Sequence, residues 1–237
     1  MPPIPREKGN VMKRASCLSF LPLFFTMACC TAAFADERKE AELLIEKARL
    51  VIEEMAISRD KVVPEDLLRD CAGVAIIPGM FKGGFVVGGA YGKGIVLANR
   101  DGQWTGPAFT YLGAGSVGFQ IGVESVDLIL VIIGQKAMDS FLRTSFKLGG
   151  DIAVAAGPVG AQASAATDIL MHGGIFSYSR AKGLFAGISL EGAVVGSQWE
   201  MNEAYYGTGN IKSILYGQVE PPASARRLVG SISKLKK

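Results

Sequence analysis

Thirty of the 237 residues are glycine, and they follow no three-residue period. The usual share is ~7%. Such spacing is poorly tolerated by long helices and points instead to tight turns and closely approaching strands. From Gly73 onward the apolar pattern changes from a helical to a strand period. Val74–Ile77, Gly84–Tyr91 and Ile95–Asn99 read as strands. Arg100-Asp101-Gly102-Gln103 reads as a turn, and Trp104–Leu112 as the return strand of a hairpin. Gly115–Val123 and Leu128–Ile133 continue the pattern, and Val126–Ile133 is too short to cross a bilayer. Lys136–Phe146 reads as a helix with Ala137, Phe141 and Leu142 inward. Ile152–Ala156, Val159–Ala165, Gly174–Tyr178 and Leu184–Val195 complete the strands.

Helices are predicted at the ends. Leu44, Ala48, Val51, Ile52 and Met55 fall on one stripe of Glu37–Met55. A short helix starts at Pro64, with Glu65 and Asp66 in its first turn, and stops near Gly73. Leu228, Val229, Ile232 and Leu235 recur at helical spacing, with Arg226, Arg227, Lys234, Lys236 and Lys237 around them. That pattern suits either an anionic bilayer surface or packing on the sheet. The expectation is an α+β chain: one domain with a mainly antiparallel, sandwich- or barrel-like β-rich core, flanked by helices near both termini.

Residues 1–35 read as a secretory signal peptide outside that domain, which spans 36–237. Lys13 and Arg14 precede the largely apolar Ala15–Ala28, and Ala33-Phe34-Ala35 is a small-x-small cleavage site before Asp36. Residues 1–11 are polar and Pro-rich, so Met12 is read as the start. The expected product is a soluble periplasmic or secreted protein. The alternative is a lipoprotein anchored at Cys29, although the Leu usual three positions earlier is missing. The leader holds four of the 25 cations and one of the 22 acids, so the remainder is balanced at 21 of each. No global electrostatic case for nucleic acid survives that balance. Cys17, Cys29 and Cys30 leave with the leader, and Cys71 alone cannot form an internal disulfide. With His172 the only histidine, a zinc site built on several imidazoles is excluded, and no cofactor is expected.

Three enzyme-like motifs lack their structural context. Gly113-Ala114-Gly115-Ser116-Val117-Gly118 spells a dinucleotide fingerprint, but the strand-like Phe119–Val123 follows where a helix must begin. Ser179-Arg180-Ala181-Lys182 spells the Ser-x-x-Lys of penicillin-recognising enzymes, yet its flanks are strand-like and the companion motifs are missing. A serine acyl-enzyme using Ser179 and Lys182 is therefore a distant alternative. Tyr178 with Lys182 spells the Tyr-x-x-x-Lys of short-chain dehydrogenases, without the nucleotide loop. Glu124 and Asp127, three apart on a strand, fall on opposite faces. His172 reads as a turn residue before Gly173-Gly174.

The ordered stretches Gly73–Pro78, Phe81-Lys82-Gly83-Gly84-Phe85, Gly88–Gly94, Trp104-Thr105-Gly106-Pro107, Gly118–Gly122, Gly157-Pro158 and Tyr178–Gly187 together resemble the SYLF domain family. The form is an exported, bacterial-type one. The resemblance implies a non-enzymatic module binding phospholipid, phosphoinositides or other anionic lipid. An envelope structural or interaction scaffold is the alternative. Some eukaryotic members bind actin filaments, which an exported protein does not meet. Eukaryotic members use a basic N-terminal helix on the membrane. Here Glu37–Met55 carries six acids against four cations, so that mode is not carried over. Anionic headgroups require cations and backbone N–H groups converging at a rim. The candidates are Lys82, Lys93, Arg180 and Lys182 on loops, with Arg226, Arg227 and Lys234 on the last helix.

Overall fold

A computed structural model describes residues 21–57, 63–85, 87–117, 122–158, 169, 172–181, 184–217 and 219–234. The element order is α1 (Leu21–Ile57), α2 (Glu65–Asp70), β1 (Gly73–Phe85), β2 (Val87–Arg100), β3 (Gln103–Val117), β4 (Gly122–Ile133), α3 (Gln135–Ser140), β5 (Ser145–Lys147), β6 (Val154–Ala156), β7 (Gly174–Ala181), β8 (Leu184–Gly187), β9 (Val194–Ser197), α4 (Trp199–Tyr206), α5 (Ile211–Leu215) and α6 (Ala223–Lys234). Among the described residues nine strands form one curled sheet, ordered β5-β9-β3-β2-β1-β4-β7-β6, with β8 also paired to β7. Every pairing is antiparallel except β6 with β7. The α+β reading with a mainly antiparallel core therefore holds.

Alternation along the central strands gives the sheet two buried faces. Val74, Ile76, Ile95, Leu97, Phe109, Ile129, Val131, Phe176 and Tyr178 pack under a helical layer. From α1 that layer contributes Ala41, Leu44, Ile45, Ala48, Val51, Ile52 and Met55. The other face buries Ala75, Ile77, Met80, Val96, Leu112, Leu128, Leu130 and Ile132 with Phe141, Phe146, Ile214 and Leu215. Each fully buried Leu, Ile or Phe stabilises by roughly 1.5–3 kcal/mol relative to exposure. Asn202 of α4 locks helix to sheet: its Oδ1 accepts from Phe109 N (2.8 Å) and its Nδ2 donates to Phe109 O (3.0 Å). The α6 helix buries Ala225, Leu228 and Ile232, so its apolar stripe is used inside the fold.

The Arg100–Gln103 turn forms as read, because Asp101 (φ 51°) and Gly102 (φ 88°) supply the two positive φ values of a tight hairpin. Other boundaries differ. The stretch read as a strand over Gly84–Tyr91 straddles the passage from β1 to β2, and Gly115–Val123 straddles that from β3 to β4. Glycine mixed with apolar residues suits a strand and a turn alike. The helix read over Lys136–Phe146 stops at Ser140, and Phe146 lies in β5. The strand read at Val159–Ala165 lies outside the described residues. At the N-terminus α1 is helical from Leu21, upstream of Glu37 and through Ala33-Phe34-Ala35. Among the described residues no helix is long and apolar enough to cross a membrane.

Candidate functional site

Beyond the helical layer the strands β3-β2-β1-β4 continue outward as a four-stranded ribbon. Its base is set by ion pairs to α1. Lys93 of β2 donates to Glu40 at 2.8 Å. Arg180 of β7 pairs with Glu54 and, at 3.4 Å, with Asp127 of β4. Burial opposes the Lys93 charge, but Glu40 and, further off, Glu37 outweigh it and hold the ammonium pKa above its ordinary value. Asp127 also accepts from Gly79 N at 2.8 Å. Gly79, at φ 61°, sits in a bulge of β1 between Ile77 and Met80. Glu40, Leu43, Lys47, Leu50 and Glu54 follow the three-and-four spacing of one helix face. Because the two acids at its ends both reach the sheet on the ribbon side, the face between them turns the same way. Leu43 is 54% exposed and Leu50 47%.

On the sheet face that carries α1, Phe81 and Tyr91 are direct cross-strand neighbours. They are 54% and 50% exposed. Tyr91 stacks on Tyr111, with centroids 6.1 Å apart, and its hydroxyl accepts from Gln198 Nε2 at 3.1 Å. One row further out Gly115, Gly89, Gly83 and Val123 lie side by side across the four strands. Val123 is 74% exposed. No charged residue occurs in 83–92 or 104–123.

Six of the seven cations that the sequence singled out lie among the described residues, at separate places in the fold. Lys93 and Arg180 border the ribbon, each held by acids of α1 or β4. Lys82, half-buried, follows Phe81 and so faces the opposite side, across from Glu124 and Ala90. Lys182 lies outside the described residues. Arg226, Arg227 and Lys234 are exposed on α6, with Arg226 3.3 Å from Glu220. That helix packs on the other flank of α1, where Ser231 Oγ donates to Glu53 at 3.0 Å. Lys82, Lys93 and Arg180, read in the sequence as loop cations, are strand residues of β1, β2 and β7. Leu43, Lys47, Leu50, Phe81, Tyr91 and Val123 were not singled out. Of these, Tyr91 and Val123 fall in the uncharged stretches 83–92 and 104–123, which is the signal the sequence offers for them.

The enzyme-like motifs sit in sheet. Gly113 and Gly115 are strand residues of β3. Ser179 is a β7 residue paired with Leu128 and Ala186, and does not open a helix. Tyr178 is buried between Gly157 and the helical layer, and burial pushes its phenol pKa up. That direction is opposite to what proton transfer near neutrality requires. Glu124 and Asp127 fall on opposite faces of β4, as their spacing predicts. His172 is exposed, before Gly173 at φ 83°. Among the described residues no group of three His, Cys, Asp or Glu side chains could hold a metal ion.

Residues 113–235 match the family model described as Ysc84, Las17-binding protein actin regulator. The chain is 35% identical over 193 residues to LAS seventeen-binding protein 3 of Saccharomyces cerevisiae, covering 79% of this chain and 41% of that protein. It is 36% identical over 175 residues to Protein YSC84 of the same yeast, covering 72% and 37%. With SH3 domain-containing YSC84-like protein 1 of Mus musculus it shares 35% identity over 173 residues, covering 71% and 50%. The chain thus spans half or less of the length of these relatives, the first of which is named as a binding protein. With the matched model and these identities agreeing, the chain belongs to the SYLF (Ysc84) family.

Proposed function

We propose that this chain is a non-enzymatic module that binds anionic phospholipid at a membrane surface, exported after cleavage following Ala35. The observation that carries the reading is a solvent-facing β-ribbon, uncharged over 83–92 and 104–123, with cations among the charged residues that border it. Lys47 of α1 lies between Leu43 and Leu50, Lys82 lies on β1, and Lys93 and Arg180 stand at the helix–sheet junction. Apolar surface of this kind, rimmed by charge, marks an interaction site. The family resemblance supplies phospholipid as its partner, and the descriptions of the family model and of LAS seventeen-binding protein 3 support binding over catalysis. Lys93 and Arg180 are already paired, so Lys47 and Lys82 carry most of the headgroup attraction.

Every buried side chain among the described residues lies between Ala41 and Ile232, so residues 36–237 contain that core. The test is co-sedimentation of residues 36–237, and of the full chain, with phosphatidylserine-containing and phosphatidylcholine-only vesicles. Binding to the anionic vesicles is expected to dominate at 0.1 M salt. It should weaken at 1 M, as the Debye length contracts from about 10 to about 3 Å. Each cation near an anionic surface contributes about 1 kcal/mol. Reversing Lys47 and Lys82 to Glu should therefore reduce binding at 0.1 M at least about tenfold, and reversing Arg226 and Lys234 should reduce it far less. Equal binding to both vesicle types, or none to either, rejects the reading and leaves the envelope scaffold.

A further inference from the structure

We infer that the glycine-paved end of the β1–β4 ribbon is the part of the molecule that enters the lipid interface, to a shallow depth. This rests on the phospholipid reading and assigns its point of contact. The first ground is the glycine row. A Cβ at Gly115 would meet nothing within 4 Å, and one at Gly89 would meet only the Ala114 carbonyl at 3.6 Å. Closer to the core the glycines are demanded by crowding: a Cβ at Gly92 would lie 2.5 Å from Ile77 Cγ2, and one at Gly94 2.6 Å from Ile76 O. At Gly89 and Gly115 nothing among the described residues requires glycine, and the bare backbone is left free for close approach from outside.

The second ground is the order of side chains along the ribbon. Phe81, Tyr91 and Val123 stand on the same face as that row, and Leu43 and Leu50 of α1 extend the apolar surface at its base. Tyr91 presents a ring outward while Gln198 satisfies its hydroxyl, the amphipathic arrangement favoured where an apolar phase meets water. On that face charge first returns inward of the aromatics, at Lys93 and Asp127, while Lys82 and Glu124 pair on the opposite face between the two rows. On the α1 face this succession, from the uncharged row through Phe81 and Tyr91 to Lys93, matches a bilayer surface.

The ribbon's edges limit depth. β9 pairs with β3 only as far as Gly113, and β7 pairs with β4 only from Asp127. Among the described residues the outer edges of Ala114–Val117 and Gly122–Val126 thus have no strand partner. Unpaired backbone N–H and C=O groups are costly in hydrocarbon, so this open ribbon belongs in the hydrated interface and does not span. Phe81–Phe85 rises only about 13 Å at ~3.3 Å per residue.

The test uses the full chain carrying Val123→Trp, with the unaltered chain as the baseline for Trp104 and Trp199. On phosphatidylserine vesicles the added emission should shift to the blue. It should be quenched more by lipids brominated near the headgroup end of the acyl chain than by lipids brominated near its methyl end. In a separate variant, Phe81→Asp with Val123→Asp, the thermal midpoint should be unchanged and the binding that persists in 1 M salt should fall at least tenfold. If the Val123→Trp chain binds vesicles while its added emission is neither shifted nor quenched, the insertion is overturned and the phospholipid reading stands. Loss of all vesicle binding by the unaltered chain overturns both. A blue shift that grows with protein concentration without vesicles assigns the face to a second copy of the chain and overturns the lipid assignment.

Discussion

The glycines of the central hairpins do two different jobs, and a single methyl group distinguishes them. At Gly94 the missing side chain is what lets β2 close on β1: an added Cβ would lie 2.6 Å from Ile76 O and 2.7 Å from Ile77 Cγ1. One of those atoms is backbone and cannot rotate away. Gly94→Ala should therefore cost about 1–3 kcal/mol, the range for overpacking a well-filled interior. At Gly115 the same methyl meets nothing within 4 Å, and the backbone there is not in the left-handed region. Alanine also loses less conformational freedom in a strand than glycine, so Gly115→Ala should be neutral or stabilise by about 0.5–1 kcal/mol. Urea denaturation of the two variants beside the unaltered chain measures the contrast. Equal destabilisation would show that the ribbon end is as crowded as its base. The same distinction applies to the buried Gly157, whose Cβ would fall 2.1 Å from the Tyr178 ring. Nothing in the sequence distinguishes the three.

At the scale of elements, α1 is held to the sheet on one flank and to α6 on the other, and the second clasp responds to acid. Arg49 donates to Glu46 (Nε to Oε2, 3.0 Å) and to Glu53, while Ser231 of α6 donates to Glu53 at 3.0 Å. Hydrogen bonds from Arg49 hold both carboxyls below the ordinary value, with Ser231 adding to the effect at Glu53. The folded state binds those protons less readily than the unfolded chain. The clasp's contribution is thus full above the ordinary Glu value of about 4.3 and is lost as pH falls through the lowered folded values. Urea midpoints should drop between pH 5 and pH 3, and Arg49→Ala should flatten that portion of the profile; an unchanged profile would remove the clasp from the account. The groups facing it are Arg227 from α6 and the three side chains of α1 themselves. The stripe of α1 that reaches the core was legible in the sequence because helical periodicity is local, as was the Arg100–Gln103 turn. The ion pairs were not: Lys93 and Glu40 are 53 residues apart, and Arg180 and Glu54 are 126 apart. Taken singly in the sequence, each of those cations suits a headgroup. Folding hands them to α1, while the exposed face that remains is made of residues a strand pattern leads one to bury.

For the whole molecule, the central strands β1, β2 and β4 each supply side chains to both buried faces, so neither face can dissolve alone without uncovering the other. Ile76 and Ile77 make the point within one peptide bond. Ile76 packs under the helical layer and Ile77 on the opposite side with Met80 and Leu128, and both are almost wholly buried. Truncating either to Ala should cost about 2–5 kcal/mol, the range for large-to-small changes in a packed core. If the sheet couples the two faces, each variant shifts the same transition: far-UV circular dichroism and the fluorescence of Trp104 and Trp199 should move together with one urea midpoint and an unchanged slope. Trp104 packs on the helical face, so its signal reports directly on that layer. Should Ile77→Ala leave the fluorescence transition in place while the circular dichroism transition moves to lower urea, the two faces unfold separately. The face opposite the helical layer would then be able to open without disturbing that layer. Coincident transitions mean that the ribbon's outer face stands on a single cooperative unit. A lipid surface pressing on Phe81 and Tyr91 then meets a rigid edge, because moving those strands requires disrupting both cores at once.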